Sequence, residues 1–75
     1  MFYWITFKRG DTVEVTIQEA ESLPAARMKA ALAGQRGWFT EGYELDLRLA
    51  KKVPKDCIGR TLTAAEAHKV LQKLG

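Results

Sequence analysis

The most constraining feature of the sequence is a pair of β-type segments joined by a short polar connection. Residues 2–7 are rich in aromatic and β-branched side chains, and residues 12–17 alternate strictly between apolar and polar residues. Both patterns are typical of strands. Because residues 8–11 are too few to form an element of their own, the sequence predicts an N-terminal β-hairpin.

The length of the hairpin loop decides which aromatic side chains share a face with the valines of the second strand. We predict a three-residue loop at residues 8–10, whose final glycine takes the left-handed conformation that it tolerates best. This register pairs Ile5 with Val13 and Tyr3 with Val15. A loop of two or four residues would exchange the two faces of the hairpin.

The three-residue loop has a consequence for Phe2 and Trp4. It sends both side chains to the face away from the valines, where they form an exposed aromatic patch if no helix covers them. Exposed apolar patches of this kind mark interaction surfaces. Phe2 and Trp4 are therefore candidate contacts to a protein partner or to a second copy of the chain.

A helix is predicted at residues 22–34. Ser22 is a suitable N-cap, Pro24 is tolerated in the first turn, and Gly34 can end the helix. The predicted buried stripe consists of Met28, Ala31 and Leu32. Residues 34–37 are interpreted as a plain connection, since they lack the pattern of a phosphate-binding loop.

The next segment carries two competing patterns, because its apolar residues alternate as in a strand while its leucines, glutamates and alanines favour a helix. We predict a third strand at residues 38–45, bent or bulged at Gly42. A short helix capped by Asp46 follows and ends before Pro54. The alternative is one longer strand that continues to Leu49.

The last helix is the best defined element. Thr63 and Glu66 have the spacing of a capping box. One face of the helix carries the apolar residues Ala67, Val70, Leu71 and Leu74. The whole pattern predicts a single α+β domain over residues 1–75, in which two or three helices cover one side of a small antiparallel sheet.

Composition excludes several classes of protein. One cysteine and one histidine in 75 residues allow neither an internal disulfide nor a zinc site of the usual spacing. The first apolar run, residues 2–5, is too short for a membrane span or a signal peptide. We therefore expect a cytoplasmic protein without a metal or cofactor.

Charge is divided unevenly along the chain. Residues 48–75 carry seven basic and two acidic residues, a net charge of +5, whereas residues 1–47 carry five basic and seven acidic residues, a net charge of −2. The candidate phosphate contacts are Lys51, Lys52, Lys55 and Arg60. They predict a nucleic-acid-binding module, although all the aromatic residues lie in the acidic part of the chain.

Two more specific functional hypotheses have less support than nucleic-acid binding. The connection from Val53 to Thr63 is too long for a helix-turn-helix. Cys57 lies close in sequence to Lys55 and Arg60, which would favour a reactive thiolate, with His68 as its base. We interpret Cys57 as a packed thiol instead, and the predicted function is not enzymatic.

Overall fold

Four strands and three helices make up the described chain, residues 1–34 and 37–75, of the computed structural model. Gln35 and Arg36, within the predicted connection at residues 34–37, lie outside the described residues. The strands are β1 (Phe2–Arg9), β2 (Thr12–Glu19), β3 (Trp38–Leu45) and β4 (Thr61–Thr63). The helices are α1 (Leu23–Leu32), α2 (Leu47–Ala50) and α3 (Ala64–Leu74), and a 3₁₀ turn occupies Lys55–Cys57. The predicted α+β class is confirmed.

The predicted hairpin is confirmed, but its predicted loop length is wrong. β1 and β2 pair antiparallel up to Arg9 and Thr12, which leaves a two-residue loop of Gly10 and Asp11. Gly10 has φ of 61°, and no residue other than glycine has a positive φ in the described chain. A glycine at the first loop position fits the type II′ turn, whose twist matches that of the flanking strands.

The shorter loop reverses the predicted faces of the hairpin. Trp4 pairs with Ile17 and shares the face of Val15. Its side chain is only 3% exposed and belongs to the core, and Phe2 is half-buried against the same core. The predicted exposed patch of Phe2 and Trp4 is therefore wrong, because the face that holds the valines is a buried face.

The sheet has the strand order β3-β1-β2-β4, with every neighbouring pair antiparallel. Helix α1 covers one face, where Tyr3, Ile5 and Phe7 are buried, and the segment from α2 to α3 covers the other. The prediction that helices cover one side only is wrong. Because β1 carries large apolar side chains on both faces, a single helical layer would leave one set in water.

Helix α1 starts where predicted but buries a different face. The Ser22 hydroxyl accepts a hydrogen bond from the Ala25 N–H at 3.3 Å. Ala26 and Ala30 are its buried residues. The predicted stripe of Met28, Ala31 and Leu32 is wrong, since all three are exposed. The small side chains face the sheet because the large residues of β1 already fill the space there.

The predicted third strand and short helix are confirmed. β3 ends at Leu45, and the Asp46 carboxylate accepts a hydrogen bond from the Leu49 N–H at 3.0 Å, which caps α2. The alternative longer strand to Leu49 is wrong. The register between β1 and β3 shifts at Thr40 and not at the predicted Gly42.

Helix α3 has the predicted capping box. The Thr63 hydroxyl accepts from the Glu66 N–H at 3.2 Å, and the Glu66 carboxylate accepts from the Thr63 N–H at 3.1 Å. Three residues of the predicted stripe are buried, whereas Leu71 is largely exposed. The short strand β4 before this helix was not predicted; its central Leu62 is buried beside Val15. No helix in the described ranges is long and apolar enough to cross a membrane.

Candidate nucleic-acid interface

The basic segment between α2 and β4 is folded against the sheet. Val53 and Cys57 are buried in the core. Ile58 forms a bridge with Ile17, and the Gly59 N–H donates to the Ile17 carbonyl at 2.7 Å. These contacts hold the 3₁₀ turn at the edge of β2. The lysines around it therefore project from an ordered scaffold, so less entropy is lost on binding than from a free loop.

Two of the predicted phosphate contacts line one groove. Lys51 and Lys55 lie at a depression of about 300 Å³ that has an apolar wall. Lys52 is also exposed but does not line this groove. Within residues 1–34 and 37–75, the three ammonium groups make no hydrogen bond or ion pair. All three are therefore available to an anion from solvent.

Arg60 differs from the three lysines because its guanidinium has partners within the protein. It forms an ion pair with Glu66 at 3.0 Å, donates to the Asp56 carbonyl at 3.2 Å, and contacts the Cys57 sulfur at 3.9 Å. The hydrogen bond to Glu66 raises the pKa of Arg60. The Thr63 backbone N–H, and then Arg60, lower the pKa of Glu66. The predicted role of Arg60 as a phosphate contact thus competes with an internal ion pair.

A second groove lies on the other side of the 3₁₀ turn. It has a volume of about 270 Å³, and its charged lining residues are Arg60 and, from α3, Lys69 and Lys73, together with the acidic Asp56 and Glu66. Lys69 and Lys73 are not among the phosphate contacts that the sequence predicts. Their spacing of four residues places them on one polar face of α3, and the sequence alone shows this. Their position beside Arg60 is set only by tertiary packing.

The two grooves belong to one layer of the molecule. Residues 48–75, which carry the net charge of +5, supply most of the layer that covers the Trp4 face of the sheet. The more acidic first part of the chain forms β1, β2, β3 and α1, and its acidic residues lie on or beside the strands, since α1 itself carries only basic charges. Folding therefore collects the excess of positive charge of residues 48–75 in one layer, which gives this basic layer a favourable potential for anions.

Folding also brings an aromatic ring into the basic layer. Phe2, at the start of β1, lines the same groove as Lys51 and Lys55. In the sequence, Phe2 lies about fifty positions before these two lysines. The structure thus provides one aromatic and cationic pairing that the sequence pattern lacks.

The residues of the catalytic hypothesis are not arranged as a nucleophile and base. Cys57 is buried in the core, which confirms the predicted packed thiol. His68 is exposed on α3, where its Nε2 atom lies 3.3 Å from the Gln72 side-chain nitrogen. In the ranges that the structure describes, no group of three or more potential metal-binding side chains comes together.

A separate apolar surface lies between α1 and β3. Met28 and Trp38 are 66% and 82% exposed, and both line a depression of about 530 Å³. The Arg27 guanidinium lies 3.8 Å from the centre of the Phe39 ring in the same region, a cation–π contact. We refer to Met28, Trp38 and Phe39 as the α1–β3 surface.

Comparison with known proteins assigns no family to this chain. No family model matches it, and neither a curated protein nor a solved structure gives a significant match. Functional inference therefore depends on the geometry and charge of the described residues.

Proposed function

We propose that this chain is a small, non-enzymatic, cytoplasmic domain that binds nucleic acid through its basic layer. The observation that carries the proposal is the pair of grooves on either side of the 3₁₀ turn, lined by Lys51 and Lys55 on one side and by Lys69 and Lys73 on the other. Lys52 adds an exposed charge between α2 and the turn. Arg60 contributes less than the lysines, because Glu66 already neutralises it.

The chemistry of these side chains suits phosphate. A lysine ammonium is a compact charge with three donors, and it can approach a phosphate from several directions. Each phosphate that a lysine neutralises releases condensed counterions, so binding becomes strongly dependent on salt. Several lysines on one layer therefore favour a polyanion over a single small anion.

The test is a titration of labelled, mixed-sequence nucleic acids at low and high salt, with the Lys51→Glu/Lys55→Glu double variant beside the parent chain. We expect affinity to fall steeply with salt. The double variant should bind all sequences more weakly, and its slope of log affinity against log salt should be smaller by about 2, roughly one unit per lost phosphate contact.

A matched control is the Lys8→Glu/Arg9→Glu variant, which changes net charge by the same amount. These residues lie at the far end of β1 from Phe2, about 20 Å away for a strand of this length. The control should bind nearly as well as the parent chain. Equal losses in both double variants, or no binding at low salt, would contradict the proposal.

A second candidate function is self-association, now through the α1–β3 surface and not through the hairpin. The observation that favours it is the exposure of Met28, Trp38 and also Leu32, which is 83% exposed. A second copy is a suitable occupant because α1 carries Arg27 and Lys29, and β3 carries Glu44, which pairs with Tyr3 and so lies on the same face of the sheet as α1. A two-fold contact would place each helix against the partner's strand, so that opposite charges meet twice.

This second candidate is tested by measuring solution mass as a function of concentration. Association that Trp38→Ala abolishes, in a monomer that stays folded, would support it. A chain that stays monomeric at high concentration would refute it and leave nucleic-acid binding as the leading function.

A further inference from the structure

We infer that the basic layer takes single-stranded nucleic acid, with an unpaired base stacked on Phe2 between Lys51 and Lys55. This inference rests on the proposed function and deepens it. Its starting observation is the groove in which these three residues meet. The ring is half-buried against the core, so that it is held in place while remaining part of the groove wall.

The residues that line the groove favour a nucleobase over a free phosphate as its ligand. Its other lining residues are apolar, namely Leu47, Ala50, Val53 and Ile58. A free phosphate would gain nothing from this wall, whereas a planar base buries its face there while its phosphates reach the lysines. The volume of about 300 Å³ lies at the lower end of the range for ligand pockets, which suits one base and not a larger ring system.

The surroundings of the groove favour a single strand over a duplex. Bases in a duplex are paired and stacked, so an aromatic side chain cannot reach their faces without opening the helix. In the described ranges, α2 has only four residues, and the 3₁₀ turn and β4 separate it from α3. This arrangement supplies no helix-turn-helix to enter a major groove.

The second groove can hold the part of the nucleic-acid strand that extends beyond the Phe2 groove. A backbone that leaves the Phe2 groove past Lys55 reaches Lys69 and Lys73 across the 3₁₀ turn, since the two grooves are lined by consecutive residues of that segment, Pro54 and Lys55. A stacking site with its own lysines, continued by a second group of lysines across the 3₁₀ turn, is the arrangement of a short single-strand channel.

The experiment compares three labelled probes, oligo(dT), oligo(U) and a mixed-sequence duplex, by fluorescence anisotropy at low salt. The variants are Phe2→Leu, which keeps the apolar contact with the core but removes the ring, and Phe2→Tyr, which keeps the ring. Phe39→Leu is the matched control, because it makes the same change to a half-buried aromatic residue on the other side of the sheet.

We expect both single strands to bind more tightly than the duplex. Phe2→Leu should weaken single-strand binding by about 5- to 150-fold, the range for loss of one stacked base. Phe2→Tyr and Phe39→Leu should bind like the parent chain. A preference between oligo(dT) and oligo(U) would identify DNA or RNA as the natural strand, because only RNA offers the 2′-hydroxyl.

The outcomes separate this inference from the proposed function. A parent chain that binds the duplex at least as tightly as the single strands overturns the inference and leaves nucleic-acid binding standing. So does a Phe2→Leu variant that binds single strands like the parent. Failure of every probe to bind at low salt overturns both. The comparison of probes on the parent chain stays decisive even if Phe2→Leu unfolds.

Discussion

The two helical layers cover the same sheet by different means. On one side, α1 is attached through the small residues Ala26 and Ala30, and it leaves its larger apolar residues in water. On the other side, α3 buries Val70 and Leu74 against a core that includes Trp4. The α1 layer depends on the close approach of the helix backbone to large strand residues. The α3 layer depends on large side chains from both the helix and the sheet.

The difference shows that the largest apolar residues of a helix need not mark its buried face. Met28 and Leu32 are the largest apolar residues in the middle and at the end of α1, yet they face solvent. The sheet below already presents Tyr3, Ile5 and Phe7, so only a side chain as small as alanine fits between helix and strand. A layer formed in this way also leaves apolar surface exposed for a partner.

The largest expected effect comes from truncating the tryptophan of the large core. Trp4→Ala should destabilise the domain by about 3 to 5 kcal/mol, which approaches the entire stability of so small a domain. Trp38→Ala makes the same chemical change at a residue that is 82% exposed, and should change stability by less than about 0.5 kcal/mol. Urea unfolding of both variants measures the contrast. Similar losses would show that Trp38 is packed in solution and not exposed.

The next largest effect is expected from enlarging a residue of α1 where this helix lies close to the sheet. Ala30→Leu should destabilise the domain by about 1 to 3 kcal/mol, because a larger side chain must push the helix away from the strand residues. Ala31→Leu, one position along the same helix and exposed, should be nearly neutral. Thermal unfolding distinguishes them. If both substitutions are tolerated equally, the alanine contact is looser than the structure indicates.

The same contrast explains which parts of the fold were predictable. In α3, polar residues and a capping box leave one apolar face, so the pattern identifies both the start and most of the buried stripe. In α1, alanine and other apolar residues occur around much of the helix. Periodicity therefore cannot choose a face, and the choice is made by the strands that it meets.

The prediction of the hairpin register was wrong for a local reason. The strands continue through Lys8 and Arg9, whose charged side chains stand at an exposed tip where an apolar pattern no longer applies. Gly10 followed by Asp11 is itself a signal for a two-residue hairpin loop, and giving it priority would have set the faces correctly. No local signal predicts the meeting of Phe2 with Lys51, because those residues are far apart in sequence.

A smaller loss of stability is expected from removing a helix cap, and it can be compared between α3 and α1. Thr63→Ala and Ser22→Ala each remove a side chain that accepts a backbone N–H, at α3 and α1 respectively. Each loss should cost about 1 kcal/mol. Thr63→Ala should have the larger effect, since its N–H bond at 3.2 Å is part of a reciprocal capping box, whereas the Ser22 contact is single and longer. A larger loss for Ser22→Ala by urea unfolding would reverse this ranking.

The smallest effect is an acid sensitivity at the start of α3. The Thr63 backbone N–H, and then Arg60, lower the pKa of Glu66 below its ordinary value of 4.5. The folded state therefore holds this proton less tightly than the unfolded state. The resulting stabilisation is complete above the ordinary pKa and is lost as the pH falls through the lowered pKa of the folded state.

Glu66→Gln removes the titrating group, so the variant should be less stable than the parent chain at neutral pH and should lose less stability on acidification. Urea midpoints measured from neutral pH down to below pH 4 give both curves. Glu21→Gln, an exposed position just before α1, is the matched control and should keep the acid sensitivity of the parent. Arg60→Gln should reduce that sensitivity only in part, because the Thr63 N–H is the larger cause of the lowered pKa. Parallel curves for Glu66→Gln and the parent would show that the capping box contributes no pH-dependent stability.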